Sequence, residues 1–287
     1  MKRTALLLAL PLSAIAAETP QRWAPAALAS DQYESSPTFS PDGSEVYFMR
    51  STAQFSDWRI LHSRCVDGAW SSPQSPGFAA KPPALDADPF VSADGRRLYF
   101  VSTRQNRDGG DQLDIWRTTR IAGGGWGAPE RLPEPVNSAG SELMPREDAN
   151  GRLVFGSDRP GGNGQGDIYF ATPLPDGRWR VDNAGPPVST PAYEYEADVS
   201  RDGNSLVVVA NRGARSHLYR YTRVDGQWRE RGRIPSADDV FQVGPLHSPD
   251  GRRLLFAQAD GARSGELFVA DLDAGADTAW PPRCAPR

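Results

Sequence analysis

A short turn sequence that returns five times along the chain is the feature that most constrains its fold. Asp-Gly or Asn-Gly dipeptides begin at residues 42, 94, 150, 202 and 250, so that successive turns are 52, 56, 52 and 48 residues apart. Each is followed by an apolar run, as in EVYFM after the first turn and RRLLFA after the last. A tight two-residue turn needs positive φ at both central residues, so each such pair predicts a β-hairpin. The regular period predicts a repeat architecture.

Each repeat continues with a third strand-like segment, a second turn and a tryptophan. The third segments are WRILHSR, DIWRTTR, DIYFATP, HLYRYTR and, in the last repeat, ELFVADL. The tryptophans that open the predicted fourth strands are Trp70, Trp126, Trp179, Trp228 and, less regularly, Trp280. Four short antiparallel strands in a repeat of this length are typical of a β-propeller blade. We therefore expect an all-β chain that forms a single β-propeller of five four-stranded blades.

The two ends of the chain are predicted to meet. Residues 22–34, RWAPAALASDQYE, are similar to the fourth-strand segments of later repeats, so a strand from the N-terminus is expected to complete the last blade. Closing the ring with strands from both termini removes the exposed sheet edges of an open array. The only cysteines are Cys65, at the end of a predicted third strand, and Cys284. In an oxidising compartment this even pair favours a disulfide over two buried thiols, and the bond would clip the ring shut.

The first twenty residues, MKRTALLLALPLSAIAAETP, are typical of a secretory signal peptide, with two basic residues, an apolar run and small residues. We expect residues 1–17 to be the signal peptide and residues 18–287 to be the propeller domain, in the periplasm or secreted. The apolar run is too short to span a bilayer, and no cysteine offers a site for a lipid anchor. The net charge of −4 argues against nucleic-acid binding, which needs a basic surface.

The repeat resembles those of the TolB-like, WD40-like propellers of exported bacterial proteins. The shared pattern is E/D-x-x-P-x-x-S-x-D-G, an apolar run ending in an aromatic, S-x-R, a glycine-rich loop and D-I-Y/W. The second repeat fits it with Asp86, Pro89, Ser92, Asp94-Gly95, Arg104 and Asp114. The third departs at Asp148-Ala-Asn150, and the last two lack the third-strand Asp, carrying His217 and Glu266. The resemblance covers almost the whole mature chain and implies a fold and export. The extra N-terminal domain of TolB has no counterpart here, so the resemblance does not imply its function.

Acidic residues recur where each innermost strand is predicted to start, at one mouth of the propeller channel. They are Glu34, Asp86, Glu142 and Glu194, with Gln242 in the fifth place. Asp88 and Glu196 lie two residues further on, and Tyr195 lies between two of these acids. An acidic ring in a narrow mouth would focus the electric field and bind a cation or a basic segment of a partner.

The same ring also has a structural interpretation, which the recurrence of the positions favours. Arg104, Arg159 and Arg212 recur in the following loops, within reach of a neighbouring blade's carboxylate, and would then hold blades together through planar ion pairs. Positions that recur in most repeats usually encode the fold. Departures from the repeat are therefore the better functional candidates, and these are Gln242, Met144, Glu196 and Asp260.

The sequence contains few patterns that indicate catalysis or metal binding. With only three histidines, the chain has no HExxH, zinc or GxSxG motif. The loop RPGGNGQGD at 159–167, near Asp108, Asp111 and Asp114, resembles a calcium-binding repeat only loosely, and a glycine-rich turn capped by Asp is the alternative. A carboxylate pair such as Asp88 with Glu142 or Glu194 could serve glycoside hydrolysis.

The sequence thus favours a non-catalytic, monomeric binding scaffold of the cell envelope, without cofactor or metal. Its partner is expected to be an envelope protein, a peptide segment or a glycan. A carbohydrate-active enzyme, either a glycoside hydrolase or a lyase, is the alternative.

Overall fold

A computed structural model describes residues 19–104, 111–236, 239–261 and 263–284, so the predicted signal peptide lies outside the described residues. These residues form five four-stranded antiparallel sheets and no α-helix, which confirms the predicted five-bladed propeller. Blade 1 contains β2 (Tyr33–Phe39), β3 (Glu45–Ser51), β4 (Arg59–Val66) and β5 (Ala69–Trp70). Blade 2 contains β6 (Asp86–Val91), β7 (Arg97–Ser102), β8 (Asp114–Thr119) and β9 (Glu130–Arg131). None of the described segments is a helix long and apolar enough to cross a membrane.

The remaining blades follow the same plan. Blade 3 contains β10 (Glu142–Glu147), β11 (Leu153–Ser157), β12 (Asp167–Pro173) and β13 (Trp179–Asn183). Blade 4 contains β14 (Tyr193–Val199), β15 (Ser205–Asn211), β16 (Ser216–Val224) and β17 (Gln227–Arg233). Blade 5 contains β18 (Gln242–His247), β19 (Arg253–Asp260), β20 (Arg263–Asp271) and β1 (Gln21–Arg22). The innermost strands β2, β6, β10, β14 and β18 contact one another in a closed ring around the channel.

Both ends of the chain close the ring, as predicted. Strand β1 pairs with β20, with Gln21 opposite Val269, and so supplies the outer strand of blade 5. Trp280 begins no strand, and its ring instead packs against Phe39 of blade 1, which also contacts Trp23. The disulfide between Cys65 and Cys284 is present and joins residues 219 positions apart in sequence, with their Cα atoms 5.2 Å apart. Blade 1 is therefore held to the C-terminal segment both covalently and by packing.

The Asp-Gly turns join the first two strands of each blade, but their geometry differs from the two-residue turn that the sequence suggested. Only the glycine has positive φ, as at Gly43 with 68°, and the N–H of Gly43 donates to the carbonyl of Ser40 at 2.8 Å. The Asp42 carboxylate instead accepts the Ser40 hydroxyl at 2.7 Å and the Ser44 N–H at 3.1 Å. The Ser-x-Asp-Gly motif is therefore a side-chain-capped turn. In blade 3, Asp148 takes over this role and accepts the N–H of Asn150 at 2.9 Å.

The proline of the E/D-x-x-P pattern marks a β-bulge in the innermost strand. The register shifts between Ala87 and Phe90 in β6, and equivalent shifts occur in β2, β10 and β18. Proline has no N–H to donate to a sheet ladder, so an interrupted ladder accommodates it. The residue before each proline has positive φ, and these residues are Ser36, Asp88, Met144 and Gly244. The fourth blade has Ala197 in place of the proline, and Glu196 before it does not take positive φ.

Candidate functional site

The four acids that begin the innermost strands, here called the inner-strand acids (Glu34, Asp86, Glu142 and Glu194), do not form an open acidic mouth. Each is at most 3% exposed. Glu142 accepts hydrogen bonds from Arg159 at 3.0 Å, from the Ser138 hydroxyl at 2.5 Å and from the Ser157 hydroxyl at 3.0 Å. A carboxylate with this set of donors is already satisfied within the protein, and has little surface to offer to a ligand.

The other three inner-strand acids have similar partners. Asp86 accepts two bonds from Arg104, at 2.7 and 2.8 Å, and one from the N–H of Ala80 at 2.7 Å. Glu34 accepts bonds from Arg50 at 2.8 Å and from the Ser30 hydroxyl. Glu194 accepts the Thr190 hydroxyl at 2.6 Å, and Arg212 lies 4.0 Å away. A Ser or Thr four residues before the acid thus recurs in blades 1, 3 and 4.

The fifth blade supports a structural role for this ring. Gln242 occupies the place of the acid, and Gln258 contacts it at 3.4 Å from the second strand, the strand from which Arg50 reaches its acid in blade 1. Where the negative charge is missing, the positive charge is missing too. This joint replacement indicates that the position needs an internally balanced pair and not a negative charge as such.

The arginines bind carboxylates of their own blades, whereas the sequence suggested pairs between blades. Arg159 and Glu142 both belong to blade 3, and Arg104 and Asp86 both belong to blade 2. The guanidinium of Arg159 also donates to the carbonyl oxygens of Pro135 and Val136, at 2.9 and 2.6 Å, in the segment arriving from blade 2. These arginines therefore fasten each blade to the connection that precedes it. Arg212 differs, because its closest carboxylate is Glu230 at 2.9 Å.

Burial is the largest influence on the pKa values of three inner-strand acids. It raises the pKa of Glu34, Glu142 and Glu194, while the hydrogen bonds and the arginines act in the opposite direction. The arginines thus offset only part of the cost of burying the charges. Removing one arginine would leave that cost with less compensation.

The acids two residues further along, here called the channel acids (Asp88 and Glu196), have different surroundings. They lie on the bulges of β6 and β14, in a ring completed by Ser36, Met144 and Gly244. Asp88 accepts the Ser36 hydroxyl at 2.7 Å and the Met144 N–H at 3.2 Å, and Glu196 accepts the Gly244 N–H at 2.8 Å. Neither forms an ion pair among the described residues, although Arg146 lies near both.

The pKa of Glu196 is raised to about 8, first by burial and then by the negative charge of Asp88. Burial also raises the pKa of Asp88, against the hydrogen bond from Ser36 and the charge of Arg146. Glu196 retains part of its accessible surface, whereas Asp88 is 5% exposed. The pair can therefore hold a proton at neutral pH and release it when a cation approaches.

Arg146 lies on β10, two residues beyond Met144 of this ring, and is fully buried. Its Nε lies 3.3 Å from Asp198, its Nη1 donates to the carbonyl of Pro145 at 3.1 Å, and its guanidinium lies 5.3 Å from the centre of the Phe90 ring. Its Nη2 has no hydrogen-bond partner among the described residues. Burial lowers the pKa of Arg146, and the three nearby carboxylates oppose that shift. One guanidinium therefore serves Asp88, Glu196 and Asp198.

Asp198 is also tied to blade 5. It accepts the N–H of His247 at 2.7 Å and contacts Nδ1 of the same residue at 2.6 Å, while Nε2 lies 3.1 Å from the Ser205 hydroxyl. The equivalent contact between blades 2 and 3 joins Arg97 and Glu147 at 3.2 Å. The Ser205–His247–Asp198 arrangement thus occupies a position where neighbouring blades bind each other.

Aromatic residues surround the end of the channel where the innermost strands begin, here called the entrance face. Tyr195 stacks on Tyr193 with ring centres 4.9 Å apart. Tyr33 packs against Phe55 at the same distance, and its buried hydroxyl has no hydrogen-bond partner among the described residues. Phe55 is 44% exposed and has a φ of 59°, an uncommon conformation for a bulky residue. Strained backbone of this kind clusters at binding and catalytic sites.

The glycine-rich loop at 159–167 is a capped turn in the structure. Asp167 accepts the N–H of Asn163 at 2.6 Å, and Asp114 pairs with Arg131 at 2.6 Å. Asp108 lies outside the described residues. In the part of the chain that the structure describes, no three His, Cys, Asp or Glu side chains are grouped as metal ligands would be.

Two of the four departures from the repeat, Met144 and Glu196, lie in the channel ring. Gln242 belongs to the neutral pair of blade 5, and Asp260 lies 3.5 Å from Arg22 at the outer side of that blade. Sequence reasoning missed Arg146. A signal was present, because the equivalent positions carry Thr38, Phe90, Asp198 and Leu246 and no other cation.

Comparisons with known proteins agree with this architecture. No protein-family model matches the chain, and no curated protein sequence matches it. Among solved structures, TolB from Acinetobacter baumannii is similar with a TM-score of 0.54 and 18% identity, over 86% of this chain and 54% of that one. A TolB structure from Agrobacterium tumefaciens has a TM-score of 0.53 and 19% identity, over 86% of this chain and 80% of that one. An α-L-arabinofuranosidase from Lactobacillus brevis has a TM-score of 0.52 and 14% identity, over 88% and 91% of the two chains.

The chain thus has a TolB-like propeller fold. It spans about half the length of the Acinetobacter protein. At these identities the likeness concerns the fold, and function must be argued from the site.

Proposed function

We propose that the protein is an exported, non-catalytic and monomeric binding module of the cell envelope, and that the channel acids at its entrance face bind a basic side chain of a partner protein or peptide. The observation that carries this proposal is that neither channel acid has an ion-pair partner among the described residues. Arg146 lies near Asp88 and Glu196 but pairs with Asp198, whereas each inner-strand acid except Glu194 has an arginine at hydrogen-bonding distance.

A ligand cation would complete this arrangement. An ammonium or guanidinium group that enters from the entrance face would meet Glu196 and Asp88 before Arg146 and would make the ionised form of Glu196 favourable. The aromatic rings of Tyr193, Tyr195 and Phe55 offer apolar area for the rest of a bound segment. Export is supported by the signal-like N-terminus and by the disulfide, since such bonds persist in oxidising compartments.

The test is a capture experiment with the signal-cleaved protein immobilised and exposed to cell-envelope extract. The native form is compared with an Asp88→Asn/Glu196→Gln variant, and an Asp176→Asn/Asp182→Asn variant removes the same number of carboxyl groups from exposed positions at the outer strand β13. A lysine-rich peptide and its fully acetylated counterpart serve as defined probes. We expect the channel variant alone to lose the partner and the lysine-rich peptide. Equal capture by all three forms would refute the proposal.

A second candidate, a carbohydrate-active enzyme, is favoured by one observation. A carboxyl group that is protonated at neutral pH beside a second carboxylate is the arrangement that general-acid catalysis of glycoside hydrolysis requires. The candidate pair is Asp88 with Glu196, because Glu142 and Glu194 are held by their own partners. Incubation with aryl glycosides, aryl α-L-arabinofuranosides included, tests this candidate. It requires turnover that disappears in Glu196→Gln, and no turnover by the native protein removes it.

A further inference from the structure

A second opening lies at the opposite end of the channel, on the face that carries the Asp-Gly turns. Here called the turn-face cavity, it has a volume of about 110 Å³. Its walls combine apolar groups, namely the rings of Phe39, Phe90 and Trp280 and the side chains of Leu246 and Pro249, with polar ones such as Ser40 and Ser248. Of the described residues that line it, none is a channel acid or an aromatic residue of the entrance face. The cavity is therefore distinct from the entrance face.

The acidic groups that line the cavity already have partners. Glu147 accepts bonds from two nitrogens of Arg97, both at 3.2 Å, and from the Tyr99 hydroxyl at 3.1 Å. Asp198 is held by Arg146 and His247. Neither carboxylate leaves an unbalanced negative charge facing the cavity.

Arg201, at the rim of the cavity, is different. Its side chain is exposed and makes no hydrogen bond or ion pair among the described residues, and desolvation lowers the pKa of its guanidinium. It is also a departure from the repeat. The residue before the Asp or Asn of each turn is Pro41, Ala93, Ala149 or Pro249 in the other four blades. A single cation has thus replaced a small or apolar residue at one point of a ring that borders the cavity.

We propose that the turn-face cavity binds a small organic carboxylate, with the carboxylate group on Arg201 and the apolar body against Phe39, Phe90 and Trp280. Guanidinium and carboxylate match in charge and in planar geometry, so Arg201 would make paired hydrogen bonds to both oxygens of the ligand. The apolar walls favour an organic acid over an inorganic anion, because inorganic phosphate has no apolar surface to bury. The volume exceeds what a single water molecule needs and suits a ligand of a few carbon atoms.

The experiment is a ligand-observed NMR titration with benzoate, its neutral analogue benzamide and inorganic phosphate as probes. Arg201→Ala is the test variant, because blades 2 and 3 carry alanine at the equivalent position and the turn tolerates it. Arg96→Ala, an exposed arginine of the turn in blade 2, is the matched control. We expect saturable binding of benzoate to the native protein and to Arg96→Ala, and a loss of at least about tenfold in affinity both for Arg201→Ala and for benzamide.

Three results would overturn the proposal. One is the absence of saturable benzoate binding below about 20 mM, the weak end of specific small-ligand affinities. Another is equal affinity of the native protein and Arg201→Ala for benzoate. The third is binding of phosphate as tightly as benzoate, which would mean that the apolar walls contribute nothing. None of these results bears on the channel acids, so the test is independent of the function proposed above.

Discussion

Each channel acid lies only two residues from an inner-strand acid on the same strand, yet the two kinds of acid differ in their hydrogen-bond and ion-pair partners. Glu142 is buried among an arginine and two hydroxyl groups of its own blade, and the pattern recurs with small changes around the ring. Glu196 has one backbone N–H, a second carboxylate nearby and an arginine shared with two other acids. A repeated charge has become part of the fold, and a charge that occurs in only two blades has been left without a dedicated partner.

This difference indicates where function is to be sought in a repeat protein. A feature that every blade needs is provided for in every blade, as the neutral Gln242–Gln258 pair of blade 5 illustrates. A feature that appears in one or two blades is not needed to build a blade. If it lowers the stability of the fold, other interactions must compensate for that loss. Buried carboxylates with raised pKa values carry such a cost, which makes the channel acids the better candidates for binding.

The largest effect is expected from breaking an inner-strand pair. Arg159→Ala removes the guanidinium that offsets the burial of Glu142, whose carboxylate is 0% exposed. Taking one partner from a buried ion pair leaves an uncompensated charge, so we expect the free energy of unfolding to fall by about 3 kcal/mol. Urea denaturation followed by circular dichroism measures this loss.

A matched control reproduces in blade 3 the uncharged glutamine pair of blade 5. The double variant Glu142→Gln/Arg159→Gln replaces the charged pair with two glutamines, as at Gln242 and Gln258. We expect it to be more stable than Arg159→Ala, because no buried charge remains. If Arg159→Ala unfolds at the same urea concentration as the native protein, the ring is not structural and its distinction from the channel acids is lost.

Replacing a channel acid should raise the free energy of unfolding, whereas breaking an inner-strand pair should lower it. Glu196→Gln keeps an oxygen that can accept the Gly244 N–H and removes a carboxyl group whose pKa is raised to about 8. Because the folded state holds this proton up to about pH 8 and the unfolded chain releases it near pH 4.5, the contribution of Glu196 to stability falls as pH rises between these values. We therefore expect Glu196→Gln to stabilise the protein above pH 8 by roughly 1–3 kcal/mol.

The same variant should also have a flatter dependence of stability on pH between 5 and 8, measured by urea denaturation at each pH. Below pH 4.5 both states of the native protein are protonated at Glu196, so the advantage of the variant should vanish there. If the Glu196→Gln protein is less stable than the native one at pH 9, Glu196 has a structural role like that of the inner-strand acids.

Much of the fold was accessible from sequence because it depends on local signals. The Asp-Gly and Asn-Gly turns and the apolar runs after them define the hairpins, and the number of turns defines the number of blades. The pairing of Cys65 with Cys284 followed from the count of two cysteines and the expected export, with ring closure placing them within reach, and is confirmed. The predicted geometry of the turns was wrong in detail. The dipeptide alone does not show that the Asp42 carboxylate caps the turn by accepting hydrogen bonds from Ser40 and Ser44.

The site was harder to predict because it depends on which blades face each other across the channel. Glu34 and Glu196 look alike as acids at the start of innermost strands. What separates them is their partners, because Glu34 accepts a hydrogen bond from Arg50, whereas Glu196 lies at the bulge of β14 and accepts the Gly244 N–H. Arg146 approaches Asp88 of one neighbouring blade and Asp198 of the other, a relation that no local pattern in the sequence expresses.

A smaller effect concerns the pH dependence of binding to the channel acids. A basic side chain binds best when Glu196 is ionised, and below a pKa of about 8 part of the binding free energy is spent on releasing its proton. We expect the affinity for the lysine-rich peptide to rise with pH between 6 and 8, by at most about tenfold per pH unit, and to level off above 8. Isothermal titration calorimetry in buffers of different ionisation enthalpy would also detect the released proton. The Glu196→Gln protein should show neither effect, and an affinity that falls with rising pH would contradict the proposed role of Glu196.

The smallest effect on stability, and the most direct test of the entrance face, is expected from Phe55→Ala. Phe55 is 44% exposed, and its φ of 59° is unfavourable for a bulky side chain, so its contribution to the fold is small. We expect the free energy of unfolding to change by no more than about 0.5–1 kcal/mol, while binding of the lysine-rich peptide weakens several-fold. Phe78, buried and packed on Phe100 at 5.2 Å in blade 2, offers the converse substitution, because Phe78→Ala should cost stability and leave binding unchanged. If native protein and Phe55→Ala bind the lysine-rich peptide equally well, Phe55 does not contribute to binding and the interaction involves the channel acids without it.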